Sequence, residues 1–287
     1  MHNHFVHTAE ELQNALTHAG TGDTIHMAAG SYRLKATIRT PNLTLIGEGA
    51  EQTEIVWDDY AQKIHADGKE YNTFRTWTLA ICADGVHLEA LSVVNDALHP
   101  EKKGQEVALS VYGDRFSAKN CVLRSTQDTL FAGPLPHDLI ERYDGFLPDE
   151  LRADRLLSQL FTDCRIEGTV DFIFGCGNAV FEHCEIHSLL DARNVGYVAA
   201  PAHALEQKEG FLFRDCRFTA EDGVSGIYLA RPWRDYGLAS FENCAYGTHI
   251  APEGFDKWND TNRDRTARFY ESPAVPGRVP WCNNRRA

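Results

Sequence analysis

Four short blocks hold the residues whose types could do chemistry: QEVAL at 105–109, TQDTL at 126–130, GTVDFIFG at 168–175 and LARPWR at 229–234. Each sets a polar side chain in or beside an apolar, strand-like run. Asp171 is the most telling, because its neighbours Val170, Phe172, Ile173 and Phe174 offer nothing to solvate a charge. A carboxylate there stays ionised only beside a cation, and Arg231, on a segment stiffened by Pro232, is the candidate. Two carboxylates whose surroundings set their pKa values apart, here Asp128 and Asp171, can divide a nucleophilic and an acid–base role. The same residues admit plainer roles. Asp128 could serve a turn, Asp171 and Arg231 a structural ion pair, Gln105 and Gln127 an interior amide ladder, and Trp233 simple packing.

Such residues need elements to position them, and a repeated phrase supplies the first clue. FTDCRI at 161–166, FEHCEI at 181–186, FRDCRF at 213–218 and FENCAY at 241–246 share one pattern, with a looser copy in NCVL at 120–123. The phrase is too short for a helix and ends in the alternation of a half-buried strand, so each copy reads as one short strand. Repeats every 20 to 32 residues (184−164 and 216−184), each with one apolar face, are the mark of a solenoid. The cysteines then form an interior column with a packing role. NLTLIG at 42–47 and VHLEALSV at 86–93 read as further coils. Thr8 to Glu11 matches a capping box ahead of Leu12, Ala15 and Leu16 at helical spacing, which predicts a short helix capping the stack. Pro134, Pro136 and Pro148, among many charges, mark residues 132–158 as an excursion loop after Asp128.

The chain has 287 residues, 43% of them hydrophobic, enough for one domain over 1–287 with a large core. Lys and Arg number 28 against 41 Asp and Glu, a formal charge of −13. That excess argues against nucleic acid or an anionic membrane as partner. No apolar run reaches the length of a membrane span, and the first residues lack a signal-peptide pattern, so a cytoplasmic location is expected unless a leader has been removed. The eight cysteines include no C-x-x-C pair, which weakens zinc and disulfide readings alike. His2, His4 and His7 read as a solvated terminus, and His183 and His187 as outward imidazoles. Serine-hydrolase, zinc-protease, Walker and dinucleotide-binding motifs are all missing.

At these blocks the chain resembles the pectin methylesterases, or pectinesterases. The likeness extends from GSY at 30–32 and LIGEG at 45–49, through the four blocks, to HIAPEG at 249–254, FYE at 269–271 and RVPW at 278–281. The resemblance implies an all-β chain folded as a right-handed single-stranded parallel β-helix. It further implies a metal-free, cofactor-free carboxylate site that removes methyl esters from galacturonate units of pectin or oligogalacturonides and releases methanol. On this likeness Asp171 falls on the nucleophile, Asp128 on the general acid/base, and Gln105 and Gln127 on oxyanion donors. Arg231 falls on the partner of the nucleophile, Trp233 on a sugar-contacting aromatic, and Phe174 and Arg234 on substrate contacts. A monomer is expected.

The chain departs from the family pattern in several places. Leu34 stands where an acid follows the first turn, Ser125 and Thr126 where Gly-Tyr is usual, Ser158 for an Arg, Ala230 for a Gly and Phe255 for a Trp. These changes bear on groove shape and sugar preference, not on reaction type. The 132–158 excursion leads to the expectation that short oligosaccharides are favoured over polymer. Other functions on the same scaffold are an esterase for acetylated sugars or thioesters, a non-catalytic carbohydrate binder, and a glycosidase or lyase.

Overall fold

The computed structural model describes residues 1–97, 104–193 and 195–283. Its strands fall into three sheets of ten, eight and seven strands, with every pairing within them parallel. One coil visits each sheet once: Ser158–Thr162, then Arg165–Gly168, then Val170–Gly175. The chain then steps up to Asn178–Glu182, which lies directly on Ser158–Thr162 in register. The molecule is a right-handed, single-stranded parallel β-helix, as expected, the hand that parallel crossovers adopt almost without exception. Among the described residues no helix is long and apolar enough to cross a membrane.

The repeated phrase is a corner, not a single strand. Its Phe is the last but one residue of a strand of one sheet and the residues after its Cys begin a strand of the next, as in Ser158–Thr162 and Arg165–Gly168. Between them Asp163, His183, Asp215 and Asn243 take left-handed backbone, with φ of 53° to 55°. Asp, Asn and His tolerate that region better than most residues, which is why the phrase keeps one of them before the cysteine. The phenyl rings of Phe161, Phe181, Phe213 and Phe241 stack at 4.9, 4.7 and 4.8 Å between centroids. Cys184, Cys216 and Cys244 donate through Sγ to the carbonyls of Phe161, Phe181 and Phe213, one coil below, at 3.3–3.4 Å. Phe and Cys therefore recur together because each thiol satisfies a carbonyl at the corner beneath it. VHLEALSV folds the same way, with Ala90 at the corner between His87–Glu89 and Ser92–Asn95.

The first helix, α1 (Ala9–His18), closes the open end of the stack with Leu12 and Ala15 buried. Thr8 Oγ1 accepts from Glu11 N at 3.1 Å. The reciprocal arm reaches one residue further back, His7 N donating to Glu11 Oε2 at 2.7 Å. The terminus before it is not a solvated tail. Asn3–Val6 pairs with Thr24–Met27, and buried Asp23 accepts from His2 N at 2.7 Å and lies 3.0 Å from His4 Nε2. His183 is exposed and His187 half-buried, its Nδ1 2.8 Å from Thr219 Oγ1.

The excursion also differs from a plain loop. It holds the short helix α2 (His137–Arg142) and a 3₁₀ turn at Asp149–Leu151. Leu135, Leu139, Tyr143, Leu147 and Leu151 recur every fourth residue and are all buried against Phe74, Tyr112, Phe131 and Phe174. This second apolar cluster lies outside the coil and forms one side of the cleft described next.

Candidate active site

The seven-stranded sheet carries the site. Its order runs Ala36–Ile38, Leu79–Ile81, Leu109–Val111, Leu130–Ala132, Val170–Gly175, Tyr197–Pro201 and Tyr228–Ala230. Leu130 pairs with Ile173, so Asp128 and Asp171, each two residues earlier, share one position in consecutive coils. Asp128 N donates to Val170 O at 3.1 Å, which fixes that alignment. Toward the next strand the register shifts between Val170 and Ile173. Such a bulge re-aims side chains. Phe172 is fully buried in the interior, while Asp171 lies on the cleft. A Cβ on Gly168 would lie 2.3 Å from Cβ of Phe172, so the bulge needs a glycine there. Asp171 and Asp128 both hold left-handed backbone, φ 52° and 67°, a conformation that collects at functional sites.

Arg231 donates to Asp171 through two parallel bonds, Nε to Oδ1 at 2.8 Å and Nη2 to Oδ2 at 2.6 Å. The guanidinium lies between two aromatic faces, Tyr197 at 3.7 Å and Trp258 at 4.0 Å. Arg231 N donates to Ala199 O at 2.9 Å, which anchors the residue to the neighbouring strand. Sequence reasoning did not single out Tyr197 or Trp258 for this role. Tyr197 pairs in register with Tyr228, its ring stacked on that of Tyr228 at 5.6 Å, and only alignment of the coils brings it to Arg231.

Gln105 and Gln127 face one another across a parallel bridge, with Glu106 N donating to Gln127 O at 3.0 Å. Both border the cleft. Thr126, one of the departures from the family pattern, donates through Oγ1 to Glu106 Oε2 at 2.7 Å, and Glu106 is itself buried. Phe174 is only 3% exposed and packs against Phe131 at 5.1 Å and Trp233 at 5.8 Å. It shapes the wall behind Trp233, which is half-buried. Arg234 lies over the Trp233 ring at 4.7 Å and is already paired with Asp138 of α2 at 3.0 and 2.8 Å. The cleft these residues line encloses about 680 Å³.

The two carboxyls sit in different electrostatic surroundings. Burial, followed by the neighbouring charge of Asp171, pushes Asp128 well above the ordinary carboxyl range, with only partial relief from Arg231 and Gln127. Burial also raises Asp171, but by less, because the Arg231 clamp favours its charged form. These surroundings favour the charged form at Asp171 and the protonated form at Asp128. One ionised and one protonated carboxyl in a single cleft can act as nucleophile and acid.

The fold and family are shared with known proteins. The Pectinesterase family model matches residues 2–135 and 149–281. Pectinesterase QRT1 of Arabidopsis thaliana is 31% identical over 270 residues, covering 90% of this chain and 64% of that protein. The chain thus spans just under two thirds of that relative. Pectinesterase 31 of the same plant is 29% identical over 94% of this chain and 82% of its own length. Among solved structures, pectin methylesterase PemA from Erwinia chrysanthemi superposes with a TM-score of 0.78 at 26% identity, covering 94% of this chain and 88% of PemA. A pectin methylesterase in complex with hexasaccharide VII gives 0.75 at 28% identity, covering 90% of this chain and 82% of that one.

Proposed function

This chain belongs to the pectinesterase family, and on that footing we propose that it hydrolyses the methyl ester of galacturonate units in pectin or oligogalacturonides, releasing methanol. The observation that carries the reading is the Asp171–Arg231 clamp in one cleft with buried Asp128, the residue at the same position one coil before. Two solved relatives are pectin methylesterases in complex with hexasaccharides, which supports an oligosaccharide in the cleft.

In this mechanism an Oδ of ionised Asp171 attacks the ester carbonyl carbon. Negative charge gathers on the carbonyl oxygen, where the side-chain amides of Gln105 and Gln127 donate to it. Loss of one such donor costs about 3–4 kcal/mol in enzymes where it has been removed. As the tetrahedral centre collapses, the bond to the methoxy oxygen breaks and Asp128 gives that oxygen its proton, so methanol leaves neutral. The acyl group is then held as an anhydride with Asp171. Asp128, now a carboxylate, takes a proton from water as the water attacks the acyl carbon. The galacturonate is freed, Asp171 leaves as a carboxylate, and Asp128 is protonated for the next cycle. Arg231 stays bound to Asp171 throughout and lowers its basicity as a leaving group. Trp233 offers a face on which a sugar ring can stack.

The test supplies methyl-esterified oligogalacturonate, an acetylated sugar and de-esterified oligogalacturonate, and follows methanol, acetate and new reducing ends. The reading expects methanol alone. Acetate would point to a different ester on this scaffold, and new reducing ends to glycosidic cleavage.

A further inference from the structure

We infer that the cleft is closed at one end, so that the protein acts on methyl-esterified units at a chain terminus or on short oligomers and not within polymeric pectin. This rests on the esterase reading above and names the form of substrate it accepts. The segment 135–151 is the first wall. Near one of its ends Glu150 accepts from Arg39 Nε at 3.0 and 3.1 Å, just beyond Ala36–Ile38, the outermost strand of the site-bearing sheet. Near the other, Asp138 accepts from Arg234, just beyond Tyr228–Ala230, the opposite outermost strand. One segment therefore flanks the cleft along the whole sheet.

A second wall, residues 61–75, leaves the chain between Thr53–Trp57 and Leu79–Ile81. The two walls are joined. Tyr143 Oη donates to Asn72 Oδ1 at 2.8 Å, and Arg75 Nη2 donates to Phe146 O at 2.6 Å while its guanidinium lies 3.6 Å over the Phe146 ring. Phe74 meets the edge of Tyr143 at 5.5 Å. Phe74 of the second wall and Leu139, Tyr143 and Leu147 of the first are all buried in the second cluster, so the two walls share one packed core as well as hydrogen bonds.

A polymer engaged at an internal unit must leave its site in both directions, and a joined rim permits one. The cleft volume of about 680 Å³ falls among pockets that hold drug-sized ligands, roughly 300–1,000 Å³, the scale of a few sugar units. The Pectinesterase family match skips residues 136–148, the centre of the first wall, so this part of the rim lies outside what the family shares.

The experiment uses the unaltered protein with fully methyl-esterified trigalacturonate, hexagalacturonate and highly esterified pectin. Methanol release is timed, and the free carboxyls in briefly treated hexamer are located by tandem mass spectrometry. The expected result is carboxyls confined to the units next to one terminus, with pectin slower than trimer per methyl ester by about tenfold or more, the factor that 1.4 kcal/mol represents. Carboxyls spread through the interior, or pectin as fast as trimer per ester, would overturn the closed end and leave the esterase reading intact. Methanol from none of the three would overturn the esterase reading and this inference together.

Discussion

Asp128 and Asp171 occupy the same position in consecutive coils, and Arg231 spends both of its carboxylate hydrogen bonds on Asp171. In the proposed mechanism that asymmetry between two identical side chains divides their work. It arises from one bulged strand and one arginine stacked between Tyr197 and Trp258.

The division predicts a pH profile with two limbs. Turnover should fall on the acid side as Asp171 takes up a proton, and on the alkaline side as Asp128 loses the proton that burial and Asp171 help it keep. Asp128→Asn should lower kcat by about 10²–10⁴ and flatten the alkaline limb of what remains. An alkaline limb unchanged in the variant would assign it to another group.

Stability should move the opposite way. Asp128 has a folded pKa above its unfolded value, so its protonated form favours the fold. That contribution is complete below the ordinary Asp range and is lost as pH climbs toward the raised value. Asn carries no charge and accepts left-handed backbone as Asp does. Asp128→Asn should therefore melt higher than wild type at neutral pH, with a gain that shrinks toward pH 4. Paired melting curves across pH check the sign, and a gain that grows on acidification would contradict it.

Arg231→Ala should do more harm than the loss of one surface arginine. Asp171 would be left buried without its clamp, and breaking such a pair costs about 3–5 kcal/mol. Its pKa should rise further, which shifts the acid limb of any residual activity to higher pH. Arg231→Lys restores the charge but not the two-pronged geometry and should recover only part of both losses. Melting curves and pH–rate profiles of the two variants measure this.

Gln105→Ala and Gln127→Ala separate an oxyanion role from an amide ladder. Loss of a donor to the developing charge lowers kcat by about 10²–10³ with KM little changed. A structural amide would instead lower the melting temperature and leave kcat nearly intact.

How much of this was legible in the sequence follows from which forces act locally. Alternation and the repeated phrase revealed stacked coils because each coil buries the same face. The phrase was read as a strand because Cys-x-apolar alternates. The left-handed backbone of Asp163 and its equivalents, which turns it into a corner, leaves only a preference for short polar residues. The α2 region was masked by prolines and charges, although its apolar residues at 135, 139, 143, 147 and 151 kept a four-residue spacing. Asp171 stood out because an isolated acid in an apolar run demands a partner. Tyr197 and Trp258 did not, because their contact with Arg231 depends on coil register and on the left-handed turn at Trp258, φ 69°. The terminal histidines looked solvated because the carboxylate that gathers them, Asp23, lies a full coil away.

The central claim is that Asp171 is the nucleophile, and Asp171→Asn tests it most directly, since Asn fills the same volume and tolerates φ 52°. Methanol release from methyl-esterified trigalacturonate, with oligomer binding and melting temperature measured beside it, is the assay. The account predicts a folded protein that still binds the trimer and has lost activity by about 10⁴-fold or more. A folded variant that releases methanol within about tenfold of the wild-type rate would contradict it.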